Sequence, residues 1–282
     1  MTDIQHLPEI ARQVRRDILR MVHRVSSGHP GGSLGCADYL TALYFQYMNH
    51  NPENFDPKGN GEDVFVMSNG HISPVFYSVL ARSGYFPVDE LNTFRLLNTR
   101  LQGHPTTHEG LPGVRVATGS LGQGLSVAVG FALQKKLDGD KSRVFALTGD
   151  GELQEGQIWE ALMFAAHHKV DNLIVAVDFN KQQIDGSTGD VLGITEVKSR
   201  FASFGWTTLE MDGNDWDDIH RLLPNAIDQL GCEKPVVIIM KTEMGQGVDF
   251  MMGTHAWHGK APNDEQLENA LNQLPETQFG DY

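Results

Sequence analysis

Cysteine is almost missing. Cys36 and Cys232 are the only two in 282 residues, too few for a disulfide scaffold, and the pattern fits inert thiols in a reducing cytosol. Long apolar runs are missing too. Segments such as 173–177 and 236–240 fall far short of the ~20 residues that span a bilayer. Positive charge is scarce: 22 Lys and Arg stand against 36 Asp and Glu, a net charge of −14. That balance argues against nucleic acid or an anionic membrane, both of which need a basic face. It leaves room for a small anionic ligand, which needs only local donors. The first twenty residues carry charges throughout and no apolar stretch, so they do not read as a secretory signal, and a cytoplasmic protein is expected. No repeat, low-complexity tract or Pro/Gly/Ser-rich linker interrupts the chain. Residues 1–282 therefore read as one domain, near the upper size of a single core.

What is present is an alternation of helical and strand patterns. Ile10, Val14, Ile18, Met21, Val22 and Val25 recur at helical spacing over 8–26, and further helices are predicted over 37–48, around Tyr77 and Leu80, and over 88–98. Short apolar strands are predicted at 64–68, 143–149, 173–180, 207–211 and 235–242. Helices are predicted from about Leu125, over 151–168 and 215–230, and within 263–274. Continuous apolar strands alternating with helices predict an α/β fold, a doubly wound, mostly parallel sheet with helices on both faces.

Glycine, at 30 residues, is concentrated in turns that such a fold places beside a ligand. In open α/β sheets, ligands sit where strand C-terminal ends meet helix N-termini. The turn 118–124 (TGSLGQG) precedes one helix, and 149–156 (GDGELQEG) follows a strand. At the second turn, Gly151 offers free N–H groups to a phosphate, and Asp150 sets a carboxylate beside them. A carboxylate next to a phosphate cradle makes sense if a cation bridges them, as Mg²⁺ does with one or two protein oxygens plus phosphates. Asn180 ends the next strand, so its side chain falls at the same sheet edge, and the following turn can add a backbone carbonyl. A lone GDG turn is usually only a tight turn. GDG followed by Asn about 28 residues on resembles the fingerprint of the thiamin diphosphate enzymes.

The histidines narrow the resemblance. Four of the twelve lie in Gly- or Pro-rich turns: His29 in SGHPGGSLG, His71 in SNGH, His104 in GHP and His258 in HGKAP. His167 and His168 end a predicted helix, where cations complement the dipole. His6, His23, His50 and His220 read as surface or packing positions, and His108 and His255 have no assigned role. These motifs, with TGSLGQG and GDGELQEG–WEA–DFN, in this order and over essentially the whole chain, resemble the N-terminal half of transketolase. The likeness is to the N-terminal subunit of the split, two-gene form.

That resemblance implies the following. Asp150, Asn180 and the main-chain carbonyl of Gln182 hold Mg²⁺, or Ca²⁺ or Mn²⁺ in its place, against thiamin diphosphate. Gly151, His71 and His258 bind the diphosphate. Gly119, Ser120 and Leu121 line the cofactor, with Leu121 and Ile184 near the thiazolium. His29, His104 and His258 are the catalytic histidines, facing the donor sugar. Glu155 matches a carboxylate between two cofactor sites, and Glu160 lies about a turn beyond it. The activity implied is transfer of a two-carbon ketol unit from a ketose phosphate to an aldose phosphate, as in the pentose phosphate pathway. The pyrimidine-binding domain, with its essential Glu and phosphate-gripping arginines, is absent from this chain. The implied partner is therefore a separate C-terminal subunit, in an α2β2 heterotetramer. Other readings stay open: an unusual-sugar transketolase, a 1-deoxyxylulose-phosphate synthase-like half, a 2-oxoacid dehydrogenase α subunit, or a non-catalytic cofactor-binding subunit.

Overall fold

The computed structural model describes residues 6–282. It begins with α1 (Leu7–Arg24), α2 (Pro30–Gly35) and α3 (Ala37–Ala42), then β1 (Val64–Met67) and α4 (Ser73–Arg82). Next come α5 (Gln123–Asp138), β2 (Val144–Gly149), α6 (Gly156–His167) and β3 (Leu173–Phe179). A small hairpin, β4 (Gln182–Gln183) and β5 (Gly186–Ser187), leads into α7 (Thr188–Leu192) and α8 (Val197–Ser203). The chain finishes with β6 (Thr207–Asp212), α9 (Trp216–Asp228), β7 (Val236–Lys241) and α10 (Asp264–Gln273).

Five strands form one parallel sheet in the order β1-β2-β3-β7-β6. Period-two alternation divides their side chains between two cores. Phe65, Met67, Phe145, Leu147, Ile174, Ala176, Ile238 and Met240 face the layer that holds α1, α3 and α4. Val64, Val66, Val144, Ala146, Leu173, Val175, Val177, Val237 and Ile239 face the layer of α5, α6 and α8. Burial on both faces is why these strands read as unbroken apolar runs rather than alternating ones. At the sheet edge, β6 is half open to solvent. No helix among the described residues is long and apolar enough to cross a membrane.

Register sets the site. Met67, Leu147, Ala176 and Ile238 lie in one row across the sheet. The loops after β1, β2, β3 and β7 therefore leave from the same edge.

Several local predictions need correction. The segment around His29 is not only a turn, because Pro30 starts a helix directly after it. The helix predicted over 37–48 leaves α geometry at Leu43 for a wider turn through Tyr47. The segment 88–98 makes only a 3-10 helix, Val88–Thr93, because Phe94 is extended and Arg95 and Asn98 take positive φ. The helix predicted over 151–168 is two pieces, a 3-10 turn Gly151–Gln154 and α6, separated by extended Glu155. Along α1, several charges between the apolar positions are themselves buried. Arg15 is buried and bidentate to Asp38 at 2.8 and 2.6 Å, and Asp17 is buried against Arg82.

Candidate active site

The four strand ends enclose a cavity of about 310 Å³. Asn69 and His71 enter from beyond β1, Gly149, Asp150 and Gly151 from β2, Asp178 and Asn180 from β3, and Met244 from beyond β7. His29, Gly119, Leu121, Glu155, Gln182, Ile184 and His258 add to the wall. Ring centroids of His29 lie 5.1 Å from His71, 5.6 Å from His258 and 6.4 Å from His104, and His71 lies 5.1 Å from His258. The four turn histidines, spread along the chain from His29 to His258, thus form one cluster.

Packing explains the sequence around them. His29 precedes α2, and the Ser33 hydroxyl donates to its carbonyl at 2.6 Å. A Cβ on Gly31 would sit 2.6 Å from Met244 and 2.8 Å from the Trp257 carbonyl, so only glycine lets α2 bring His29 beside His258. Gly119 has φ +133°, and a Cβ there would meet the His104 ring at 2.6 Å, so glycine is required on both counts. His104 itself lines a second, wider recess of about 660 Å³ with Arg95, Thr106, His108 and Glu109.

Their surroundings shift the imidazoles toward the neutral form. Burial first, then the neighbouring His258 and Arg95, push His29 down to about 4. Burial, then His258 and His29, push His71 down to about 3. His104 and His258 are also lowered, chiefly by burial. A neutral ring offers one N–H and one lone pair. Nδ1 of His29 and of His258, and Oδ1 of Asn69, are buried without a partner. Such groups call for a bound polar ligand.

Opposite them lies a buried acid pair. Asp150 Oδ1 accepts from Gly151 N at 2.7 Å and Oδ2 from Lys181 N at 2.6 Å. Burial, then Asp178, push its carboxyl up to about 8. Asp178 accepts from Asn180 Nδ2 at 2.9 Å and from the Thr242 hydroxyl. This fixes the amide so that Asn180 Oδ1 faces the next turn, where Gln182 N donates to it at 2.9 Å. A divalent cation would relieve the crowded negative charge, and the donors are the hard oxygens that Mg²⁺ takes. Among the described residues no group of three or more His, Cys, Asp or Glu could hold a metal. A cation here needs oxygens from a ligand such as a diphosphate, so the residues fit a metal that arrives with one.

Four sequence-chosen residues sit differently from the rest, and the first is His104, exposed and lining the neighbouring recess rather than the cavity. Ser120 is exposed and outside the cavity lining, its carbonyl accepting from Gln123 N. Glu155 is exposed at the rim, against Gly122. Glu160 is exposed on α6 and lines a separate groove with Val129, Leu133 and Phe164, so it does not join Glu155 in the cavity. His255, which had no assigned role, is exposed, and its carbonyl accepts from His258 N.

The residue that sequence reasoning missed is Glu152. It is buried under the cavity, where Oε1 accepts from Gly122 N at 2.8 Å and from the Ser68 hydroxyl, and Oε2 from Gly149 N at 3.1 Å. One carboxylate thus joins the SNGH, TGSLGQG and GDG segments. The only signal was a Glu directly after GDG, which in a continuous helix would point to solvent. Glu152→Ala strands these buried donors, at roughly 1–3 kcal/mol for each unsatisfied group. Thermal denaturation should show a fall in Tm of roughly 6 °C or more, with a smaller loss for Glu152→Gln, which keeps one acceptor oxygen. An unchanged Tm for Glu152→Ala would contradict the bracing role.

Comparison with known proteins agrees with this geometry. Residues 8–279 match the family described as transketolase, thiamine diphosphate binding domain. An apulose-4-phosphate transketolase subunit of Phocaeicola vulgatus is 39% identical, over 93% of this chain and 91% of its own. A 6-deoxy-6-sulfo-D-fructose transketolase subunit of a Clostridium species is 37% identical, over 96% of both chains. The crystal structure of Campylobacter jejuni transketolase superimposes with a TM-score of 0.89 at 37% identity, covering 97% of this chain and 43% of that one. The chain thus spans less than half the length of that transketolase, and nearly the full length of the two relatives named as subunits. It belongs to the transketolase family, as an N-terminal, thiamine diphosphate-binding subunit.

Proposed function

We propose that this chain, with a separate C-terminal pyrimidine-domain subunit, transfers a two-carbon ketol unit between sugar phosphates. The observation that carries the reading is the clustering of His29, His71 and His258 in the cavity that holds Asp150 and Asn180, with His104 beside them in the adjoining recess. Asp150, Asn180 and the Gln182 carbonyl would hold Mg²⁺. His71, His258 and the Gly151 N–H, which would exchange Asp150 Oδ1 for a phosphate oxygen, would hold the diphosphate, and Leu121 and Ile184 would give the ring system an apolar wall. Thiamin diphosphate, when bound, supplies the nucleophilic carbon that takes up the two-carbon unit and hands it on. The chain's own task is binding, orientation and proton management. His29, His104 and His258 present N–H groups or lone pairs toward sugar hydroxyls, and their neutrality lets each accept a hydroxyl proton or donate one as charge develops on oxygen. The walls drawn from four strand ends would exclude water from that exchange once the partner subunit closes the open side.

Among the described residues no Lys or Arg lines the cavity. The phosphate end of the sugar therefore needs cations from the partner, which fits the −14 charge of this chain. An α2β2 assembly in the cytoplasm is the expected form. Relatives named for apulose 4-phosphate and for a sulfo-sugar favour a second reading, in which the sugar is branched or carries another anionic group. The test uses the assembled complex and a ketose phosphate labelled at C1 and C2. The label should appear at C1 and C2 of a new ketose. Carbon dioxide release from a 2-oxoacid, with no label transfer, would instead favour the 1-deoxyxylulose-phosphate synthase-like reading.

A further inference from the structure

Arg95, like Arg12, differs from the other buried or half-buried arginines among the described residues. Arg15, Arg16, Arg82, Arg115 and Arg143 each pair with a carboxylate. Arg95 has no such partner among the described residues, and burial lowers its pKa. Its backbone is held at φ +56°, in the left-handed region that a long side chain avoids. Its Nε is buried without a partner. An arginine kept in a costly conformation with no acid to pair with is carrying out another task.

Its contacts show the task. Nη1 donates to Ser27 Oγ at 2.7 Å, two residues before His29. Nη2 donates to the Gly103 carbonyl at 3.4 Å, one residue before His104. The same carbonyl accepts from Ser73 Oγ at 2.8 Å, two residues after His71. The guanidinium packs on Gly103, where a Cβ would come within 2.8–2.9 Å of Nε, Cζ and Nη2. The Arg95 N–H also donates to the Leu101 carbonyl at 2.9 Å, tying the side chain's base to the segment it grips.

We propose that Arg95 is a positioning residue: its guanidinium links the segments that carry His29 and His104 and sets the separation of the two rings. It acts through those rings rather than on the ligand. The inference rests on the reading that both histidines face the donor sugar. A second effect follows from its charge. The groups facing His29 are His71, His104, His258 and Arg95, and those around His104 are His29, Arg95, His108 and Glu109. Arg95 is the one fixed cation among them, and it disfavours protonation of both rings.

The experiment compares wild-type chain with Arg95→Met, Arg95→Lys and Gly103→Ala, each assembled with the C-terminal subunit. Arg95→Met loses both the link and the charge. Its kcat/KM should fall about 10²-fold, as for small misplacements of catalytic groups, and the acid limb of its pH profile should move to higher pH. Arg95→Lys keeps the charge but cannot reach both anchors, so kcat/KM should fall while the acid limb stays in place. Gly103→Ala pushes the guanidinium off its seat and should behave like the lysine variant. NMR titration of the His104 ring in the free chain adds a readout independent of turnover, and its pKa should rise only in Arg95→Met. Wild-type kinetics and an unshifted His104 in Arg95→Met would overturn the proposal. Should Arg95→Met fail to fold, wild-type kcat/KM in both Arg95→Lys and Gly103→Ala overturns it equally. If the wild-type complex itself transfers no two-carbon unit, the functional reading has failed; an active wild type with unaffected variants removes the Arg95 role alone.

Discussion

Purified alone and supplied with thiamin diphosphate and Mg²⁺, the chain is expected to turn over at roughly one-thousandth of the rate of the assembled complex or less, since loss of a general acid or base alone typically costs 10²–10⁴-fold. On the proposed reading the cavity would supply metal ligands, diphosphate donors and sugar-facing imidazoles. Among the described residues it holds no Lys or Arg for a phosphate tail. The resemblance to transketolases assigns the Glu that contacts the pyrimidine ring to the other half. Loss of a cavity wall costs orientation as well. The surface is consistent with a chain buried further in an assembly. Ile184, on the cavity rim, is 60% exposed, and Leu137 and Met163 stand exposed on α5 and α6. Coupled assay of the chain before and after addition of the C-terminal subunit checks this. Robust turnover by the chain alone would refute the division of the site.

Asp150→Ala should abolish metal-dependent cofactor binding in the assembled complex, with affinity down at least about 10²-fold. Mg²⁺ takes few protein oxygens at such sites and leans on those few, and even an outer-shell partner of a ligand is worth roughly 10–100-fold. Two backbone donors, Gly151 N and Lys181 N, lose their acceptor as well, which loosens the cradle meant for the diphosphate. The stability of the metal-free chain should change far less, because the same substitution removes a buried acid that crowds Asp178. The signature is therefore a Tm close to wild type without ligand, and no rise when thiamin diphosphate and Mg²⁺ are added. Asp150→Asn should be intermediate, keeping an oxygen ligand without its charge. Isothermal titration of both variants measures it. Wild-type affinity in Asp150→Ala would remove Asp150 from the metal site.

The parts of this architecture that follow from period and composition were legible in the sequence. Apolar strands at 143–149 and 173–180 and the helix between them announced a parallel sheet, and that topology alone placed Asp150 and Asn180 at one edge. The four histidines could be grouped only because each sits in a glycine turn. Their convergence depends on close approaches, such as Gly31 against Met244, that no local pattern encodes. Glu152 was hidden because a continuous helix over 151–168 would have turned it outward. The break at Glu155 turns it inward, where it accepts from two glycine N–H groups. Asp178 was read as part of a buried strand, and its role in orienting the Asn180 amide needed the third dimension. Arg95 was lost inside a predicted helix that its left-handed backbone forbids. Residues 182–203, a hairpin and two short helices, gave no periodic signal, because few of their side chains reach a core.

The central claim is that the cavity at the strand ends holds thiamin diphosphate through a cation shared by Asp150, Asn180 and the Gln182 carbonyl. Its most direct test is a crystal structure of the assembled complex grown with thiamin diphosphate and Mn²⁺, with the anomalous signal locating the metal. The account predicts one strong peak about 2.0–2.3 Å from an Asp150 carboxylate oxygen, Asn180 Oδ1 and the Gln182 carbonyl, an octahedral hard-oxygen arrangement, with diphosphate oxygens completing the shell beside Gly151. A peak elsewhere, or a diphosphate bound away from Gly151 with these oxygens free, would contradict it.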